Sequence, residues 1–280
     1  MDIDHLRPRP SRDLTGKVAI VTGAGCHGNA LGNGRAISLL LAQDGCTVVC
    51  VDMDEAASLR TVEMINAEGH APAMALRADV SDPVQCEGIV VFALDAFKRV
   101  DILINNVGIL GPAGTATEVG LEEWQKAMNI NVATMMLMSK YAIPAMLKNK
   151  RDDAGIKGSI VNLGSVAGLQ GGTPSLLYPT SKGAVVNMTR AMASHHGKDG
   201  IRVNCVCPGM IFTPMVETPN GGMSQETREA RRKRSLLQTE GDAWDCAGPV
   251  RFLAGNEARW MTGSMLTVDA GASCSSITEW

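Results

Sequence analysis

Apolar residues along the chain keep two rhythms. Short runs such as Lys17-Val18-Ala19-Ile20-Val21 and Val48-Val49-Cys50-Val51 are almost continuously apolar, as in strands buried on both faces. Between such runs the apolar positions spread to spacings of three and four. Ile37, Leu40 and Leu41 do so after Arg35, which gives a helix one apolar stripe. Strands are predicted at 17–21, 47–51, 73–78, 101–105, 159–163, 202–207 and 265–268. Helices are predicted at 35–43 and near 55–67, 83–98, 121–148, 178–197 and 242–254. Strands alternating with helices predict an α/β protein with a parallel, doubly wound sheet. There is no internal repeat, low-complexity tract or apolar span long enough to cross a bilayer.

Composition narrows the class. With 45% hydrophobic but only 4% aromatic residues, the core is expected to be aliphatic, and 280 residues suit one domain of this kind. A net charge of −3 gives no general attraction for nucleic acid or an anionic membrane. Residues 1–14 are polar and lack the apolar stretch of a secretory signal, so a loose arm is expected there, followed by one domain over 15–280. The eight cysteines contain no C-x-x-C, and Cys50, Cys205 and Cys207 fall in apolar runs. Buried free thiols in a reducing, cytoplasmic setting fit this placement better than disulfides or zinc.

Three stretches carry chemistry. Between the first strand and first helix, residues 22–36 hold Gly23, Gly25, Gly28, Gly32 and Gly34. Glycines there permit a tight turn and close backbone approach, and the helix N-terminus supplies free N–H groups for a diphosphate. Asp52, closing the second strand, is placed to bind ribose hydroxyls. Farther on, Tyr178 and Lys182 stand one helical turn apart, where a cation favours the ionised phenol and lowers its pKa. Ser165 follows the predicted strand 159–163 and so lies at its carboxyl end, where open α/β sheets bind ligands.

These pieces, in this order, resemble the short-chain dehydrogenase/reductase family from about Leu14 to Ala272. Asp79-Val80, Asn105-Asn106-Val107-Gly108, Asn131, Pro208-Gly209, Thr213 and Val268-Asp269-Ala270-Gly271 match as well. The resemblance implies a Rossmann fold, NAD as cofactor, and a catalytic set of Asn131, Ser165, Tyr178 and Lys182. Tyr178 would be the general acid/base and Ser165 the partner of the substrate oxygen. Lys182 would hold the nicotinamide ribose, and Asn131 would keep a relay water. Cofactor contacts are implied at Gly23, Gly25, Gly32, Asn33, Gly34, Asp52, Asp79, Val80, Asn106, Gly108, Tyr178, Lys182, Pro208, Gly209, Ile211 and Thr213. A homotetramer or dimer is implied too. Two departures stand out: about five extra residues around Cys26–Leu31, which leave Gly28 competing with Gly32 and Gly34, and Val107 in place of the usual alanine. Val107 is expected to alter the wall on the adenosine side slightly without loss of binding.

The expected function is hydride transfer between NAD(H) and a secondary alcohol or ketone. A dehydratase, epimerase or cyclase on the same scaffold, or a dinucleotide-binding regulator, are the alternatives. Asp52 and the absence of a basic residue in the loop before Arg35 favour NAD(H) over NADP(H), with His27 the one group able to soften that preference. A substrate lid is expected over about 213–239, hinged at Pro219-Asn220-Gly221-Gly222. Its stretch 226–234 holds five basic and two acidic residues. They form either a solvated helix with Leu236 and Leu237 on its apolar side, or inward arginines that bind an anionic substrate. His195-His196 is read as a helix end complementing the dipole, and Met128, Met135, Met136, Met138 and Met146 as packing or interface residues.

Overall fold

The structure is a computed structural model and describes residues 8–217 and 223–275. Seven strands form one parallel sheet: β1 (Val18–Thr22), β2 (Thr47–Asp52), β3 (Ala73–Arg77), β4 (Ile102–Asn105), β5 (Gly158–Leu163), β6 (Ile201–Pro208) and β7 (Met265–Val268). Their order across the sheet is β3-β2-β1-β4-β5-β6-β7, so the winding reverses between β1 and β4. That reversal opens a crevice at the carboxyl ends of the strands.

Each central strand is buried on both faces, which is why its sequence is a continuous apolar run. In β1, Ala19 and Val21 join the core beneath α1 (Asn33–Gln43) and α9 (Ala243–Ala254), while Ile20 faces the opposite core. That second core lies under α3 (Pro83–Phe97) and α5 (Thr134–Met146) and takes Cys86, Ile89, Met138 and Met146. Val48 and Cys50 of β2 alternate with Val49 and Val51 in the same way.

Local chemistry sets the helix starts. Asp54 caps α2 (Glu55–Ala67) by accepting from Ala57 N, and Asp82 caps α3 by accepting from Val84 N ahead of Pro83. α9 begins with a reciprocal capping box of Asp242 and Asp245. α6 (Leu177–His196) has Pro179 in its first turn, where the missing N–H has no intrahelical partner to lose.

The structure departs from the sequence expectation in several places. The single helix predicted over 121–148 is α4 (Leu121–Met128) and α5 joined by a π-turn at Asn129–Ala133. Leu14, assigned to the loose arm, is buried, and its N–H donates to Asp44 O at 2.7 Å. Asp101, placed in a strand, instead accepts from Val18 N at 3.0 Å and pairs with Arg99. The segment expected as a lid holds α7 (Pro214–Glu217) and α8 (Gln225–Lys233), and Leu236 and Leu237 lie past α8 rather than on its apolar side. The hinge Pro219-Asn220-Gly221-Gly222 lies outside the described residues. Met135, Met138 and Met146 are core residues, whereas Met136 faces outward. No described helix is long and apolar enough to cross a membrane.

Candidate active site

The glycine loop leaves β1 and packs back on it. A Cβ on Gly34 would run into the Gly23 carbonyl oxygen, so only glycine lets α1 start this close to the strand. Gly32 is the N-cap of α1, and its carbonyl accepts from Ala36 N at 3.0 Å. Gly28 sits exposed with φ +51° and open space around it, a turn at the loop's outer edge. The helix therefore begins at the second group of glycines, and Gly28 belongs to the insertion. Asn106 ties the loop to β4 by donating to Thr22 O and Gly23 O at 3.2 and 2.9 Å. Val107 packs on the same turn, its Cγ2 only 3.2 Å from where a Gly23 Cβ would stand.

Asp52 is held at the end of β2 from both sides. Its Oδ2 accepts from Gly25 N at 2.9 Å and its Oδ1 from Asp54 N at 3.0 Å. A Cβ on Gly25 would stand 2.8 Å from that carboxylate, so the glycine is what lets the backbone reach it.

Ser165 lies just past β5, buried, with its Oγ accepting from Ala167 N at 3.1 Å. On α6, Tyr178 is half-buried and Lys182 buried. Lys182 Nζ donates to Leu163 O at 2.8 Å and stands 5.9 Å from the Tyr178 ring centre. Thus the i, i+4 pair does share a face, and the end of β5 fixes the ammonium. The π-turn turns Asn131 toward the same place. Its Oδ1 accepts from Ile109 N at 2.7 Å, and its Nδ2 donates to Ile109 O and to Ser181 Oγ at 2.9 and 3.0 Å. Ser181 Oγ donates in turn to the Tyr178 carbonyl at 2.8 Å. A Cβ on Gly108 would stand 3.3 Å from both Asn131 Oδ1 and Lys182 Nζ, which accounts for the glycine there. π-turns inside helices often mark functional sites, and this one sits behind the Tyr–Lys pair.

A cleft of about 230 Å³ joins these parts. Gly23, Gly25, Gly32, Asn33, Gly34, Asn106, Gly108, Ser165, Tyr178, Lys182, Pro208, Gly209, Ile211 and Thr213 all line it. Asp52, Asp79, Val80 and Asn131 do not. Asp52 borders the cleft through Gly25, and Asn131 is buried behind it. Asp79 accepts from Ser81 N and Oγ, while Val80 is part of the core beneath α3. The residues present fit a dinucleotide: glycines that let α1 and the loop close tightly on β1 and Asp52, a fixed carboxylate beside the groove, and Asn33, whose Oδ1 is buried with no hydrogen-bond partner among the described residues. Such an acceptor suits a ribose hydroxyl.

Residues 28–273 match the family described as enoyl-(acyl carrier protein) reductase. The chain is 35% identical over 259 residues to meso-2,3-butanediol dehydrogenase of Serratia marcescens, covering 92% of this chain and 95% of that one. It is 34% identical over 260 residues to cyclohexanol dehydrogenase of an Acinetobacter species, covering 92% and 96%. A solved structure described as a short-chain dehydrogenase/reductase from Burkholderia xenovorans superposes with a TM-score of 0.85 at 36% identity, covering 94% and 99%. The chain is a short-chain dehydrogenase/reductase.

In this dehydrogenase the stretch around α8 packs on its neighbours within the protein. Arg228 pairs with Glu240, its Nε donating to Oε2 at 3.0 Å, and its guanidinium lies 3.9 Å from the centre of the Phe212 ring. Arg231 donates to Ile211 O at 3.1 Å, and burial lowers its pKa. Two arginines of α8 therefore do turn inward, toward partners within the protein. Arg232 pairs with Glu229 at the surface, and Lys233 and Arg234 are exposed. Glu240, the acid that pairs with Arg228, lies 12 positions beyond it and carried no sequence signal. His195 and His196 end α6 with their rings edge-on. Among the described residues no cluster of three or more potential metal ligands forms.

Proposed function

We propose that the dehydrogenase oxidises an uncharged secondary alcohol, or reduces the matching ketone, with NAD(H) preferred over NADP(H). The observation that carries this reading is the convergence of Ser165, Tyr178 and Lys182 on one cleft, with Asn131 behind them. Among the described residues, Lys182 is the only charged side chain lining that cleft; its apolar lining includes Leu110, Ile211, Pro214, Met215 and Val216. Of the two inward arginines of the 213–239 segment, Arg228 is paired with Glu240 and Arg231 donates to Ile211 O, and neither lines the cleft. The names of the butanediol and cyclohexanol dehydrogenases point to the same uncharged chemistry.

When bound, the nicotinamide supplies or accepts the hydride. The chain's own residues handle the proton. Ser165 Oγ orients the substrate oxygen, Tyr178 exchanges a proton with it, and the Lys182 ammonium stabilises the phenolate that results. The Asn131–Ser181 bond holds the first turn of α6 in place. Exposed Val91, Leu121 and Met136 on α3, α4 and α5 support assembly with further copies.

The test is a screen of secondary alcohols and ketones followed by nicotinamide absorbance, repeated with Tyr178→Phe. A loss of roughly 10²-fold or more in kcat with NAD affinity retained is expected. Product formation without cofactor turnover, or Tyr178→Phe activity within a few-fold of wild type, would overturn the assignment.

A further inference from the structure

The insertion that lengthens the glycine loop is folded around a buried cation. Arg35, in the first turn of α1, is 0% exposed. All five of its N–H donors are used. Nε donates to Thr61 Oγ1 at 3.0 Å, Nη1 to Gly28 O and Ala30 O at 2.8 and 2.5 Å, and Nη2 to Cys26 O and Ala57 O at 2.7 and 3.3 Å. Thr61 Oγ1 passes the link on to Ala24 O at 2.8 Å, and Arg60 Nε reaches Asn29 Oδ1 at 2.7 Å. Three alternate carbonyls of the insertion, at 26, 28 and 30, thus turn toward one guanidinium, and α2 is bound to the same knot.

Such an arrangement is expensive to build, since a charge withdrawn from water needs compensation. Among the described residues no carboxylate forms an ion pair with Arg35; its partners are carbonyl dipoles and one hydroxyl. Gly25, Cys26, Gly32 and Asn33, which bracket the insertion, line the cleft. A diphosphate lying there meets repulsion from any carbonyl oxygen turned its way and attraction from a nearby cation.

We propose that Arg35 is the positioning residue of the cofactor loop: it draws the carbonyls of Cys26, Gly28 and Ala30 away from the groove and holds the lengthened loop in one diphosphate-accepting shape. The proposal rests on the reading of this groove as the dinucleotide site. If the loop without its clamp spends about a tenth of its time in that shape, apparent affinity falls by the same factor.

The experiment is calorimetric titration of the purified protein with NAD and with ADP-ribose, for wild type, Arg35→Met and Arg35→Lys. Both ligands are expected to bind roughly tenfold or more weakly to Arg35→Met, with Arg35→Lys between, because lysine keeps the charge but offers three donors to five acceptors. In turnover the loss should fall on KM for NAD, with KM for the alcohol unchanged and kcat at saturating NAD within about threefold. Unchanged dissociation constants overturn the proposal. So does a general loss in which kcat and the alcohol KM worsen as much as NAD binding, since that is the signature of a merely structural arginine. If Arg35→Met does not fold, the lysine variant decides by the same criteria. Wild type that binds neither ligand overturns the groove reading and this proposal with it, whereas wild type that binds them and variants that bind equally well overturn the proposal alone.

Discussion

At Asp52 the proposed preference for NAD(H) rests on a single carboxylate, since the two cofactors differ by one phosphate. Its oxygens are already oriented by Gly25 N and Asp54 N, so they face the groove's edge as fixed acceptors rather than as a mobile charge. A ribose diol can donate to such acceptors, while a 2′-phosphate meets like charge. Asp52→Ala is expected to lower the ratio of kcat/KM for NAD over NADP by roughly tenfold or more, chiefly by weakening NAD, as steady-state kinetics with both cofactors will show. An unaltered ratio would place the discrimination elsewhere. Asp52 could be found from sequence because it closes an apolar strand, and Tyr178 with Lys182 because helical spacing alone puts them on one face. Arg35 could not. A charged residue in a helix reads as solvent-facing, and the five acceptors that bury it come from Cys26, Gly28, Ala30, Ala57 and Thr61, positions joined only by folding.

Among elements, α8 is held by contacts that its own sequence does not reveal. α8 looks like a solvated helix because its charges outnumber its apolar residues, and its outer face is one, with Arg232 and Glu229 paired in water. The inner face is latched by Arg228 on Glu240 and Phe212, and by Arg231 on Ile211 O. Because Ile211 also lines the cleft, loosening this latch should reach the substrate wall before it reaches the nucleotide groove. Glu240→Ala removes the carboxylate that pairs with Arg228 and lowers the charge compensation of the half-buried Arg231, so α8 should detach more often. KM for the alcohol is expected to rise by a few-fold or more, with NAD affinity within about twofold, and amide exchange over 225–241 to quicken. Equal weakening of substrate and NAD would show that the latch supports the whole cleft instead. The strands were legible because burial on both faces writes itself into composition. The π-turn was not, since Asn129–Ala133 keeps helical spacing on either side and differs only in one backbone register.

Across the whole molecule, the buried aliphatic core also holds thiols, and they make stability depend on alkaline pH. Burial pushes the Cys50 and Cys246 thiols from an ordinary 9.0 up to about 12, and Cys46 higher still. A group whose folded pKa is raised contributes stability that is fully present below its unfolded pKa and is lost as pH rises toward the folded value. The loss therefore begins near pH 9, where the unfolded chain ionises these thiols and the folded one cannot. Burial also lowers the pKa of Arg202, but its guanidinium donates to the carbonyls of Ala254, Gly255 and Met261 and stays charged across this range. By pH 10 each of these thiols removes about 1.4 kcal/mol, on the order of 4 kcal/mol for the three, and Cys86, raised to about 11 by burial, adds to the loss. The thermal midpoint, measured in reductant from pH 8 to 10.5, is expected to hold steady and then fall steeply beyond 9. Cys50→Ala should start lower because of its cavity but fall less steeply, by about one proton's worth of slope. A flat profile to pH 10, or an unchanged slope in Cys50→Ala, would remove the buried thiols from the account of alkaline stability.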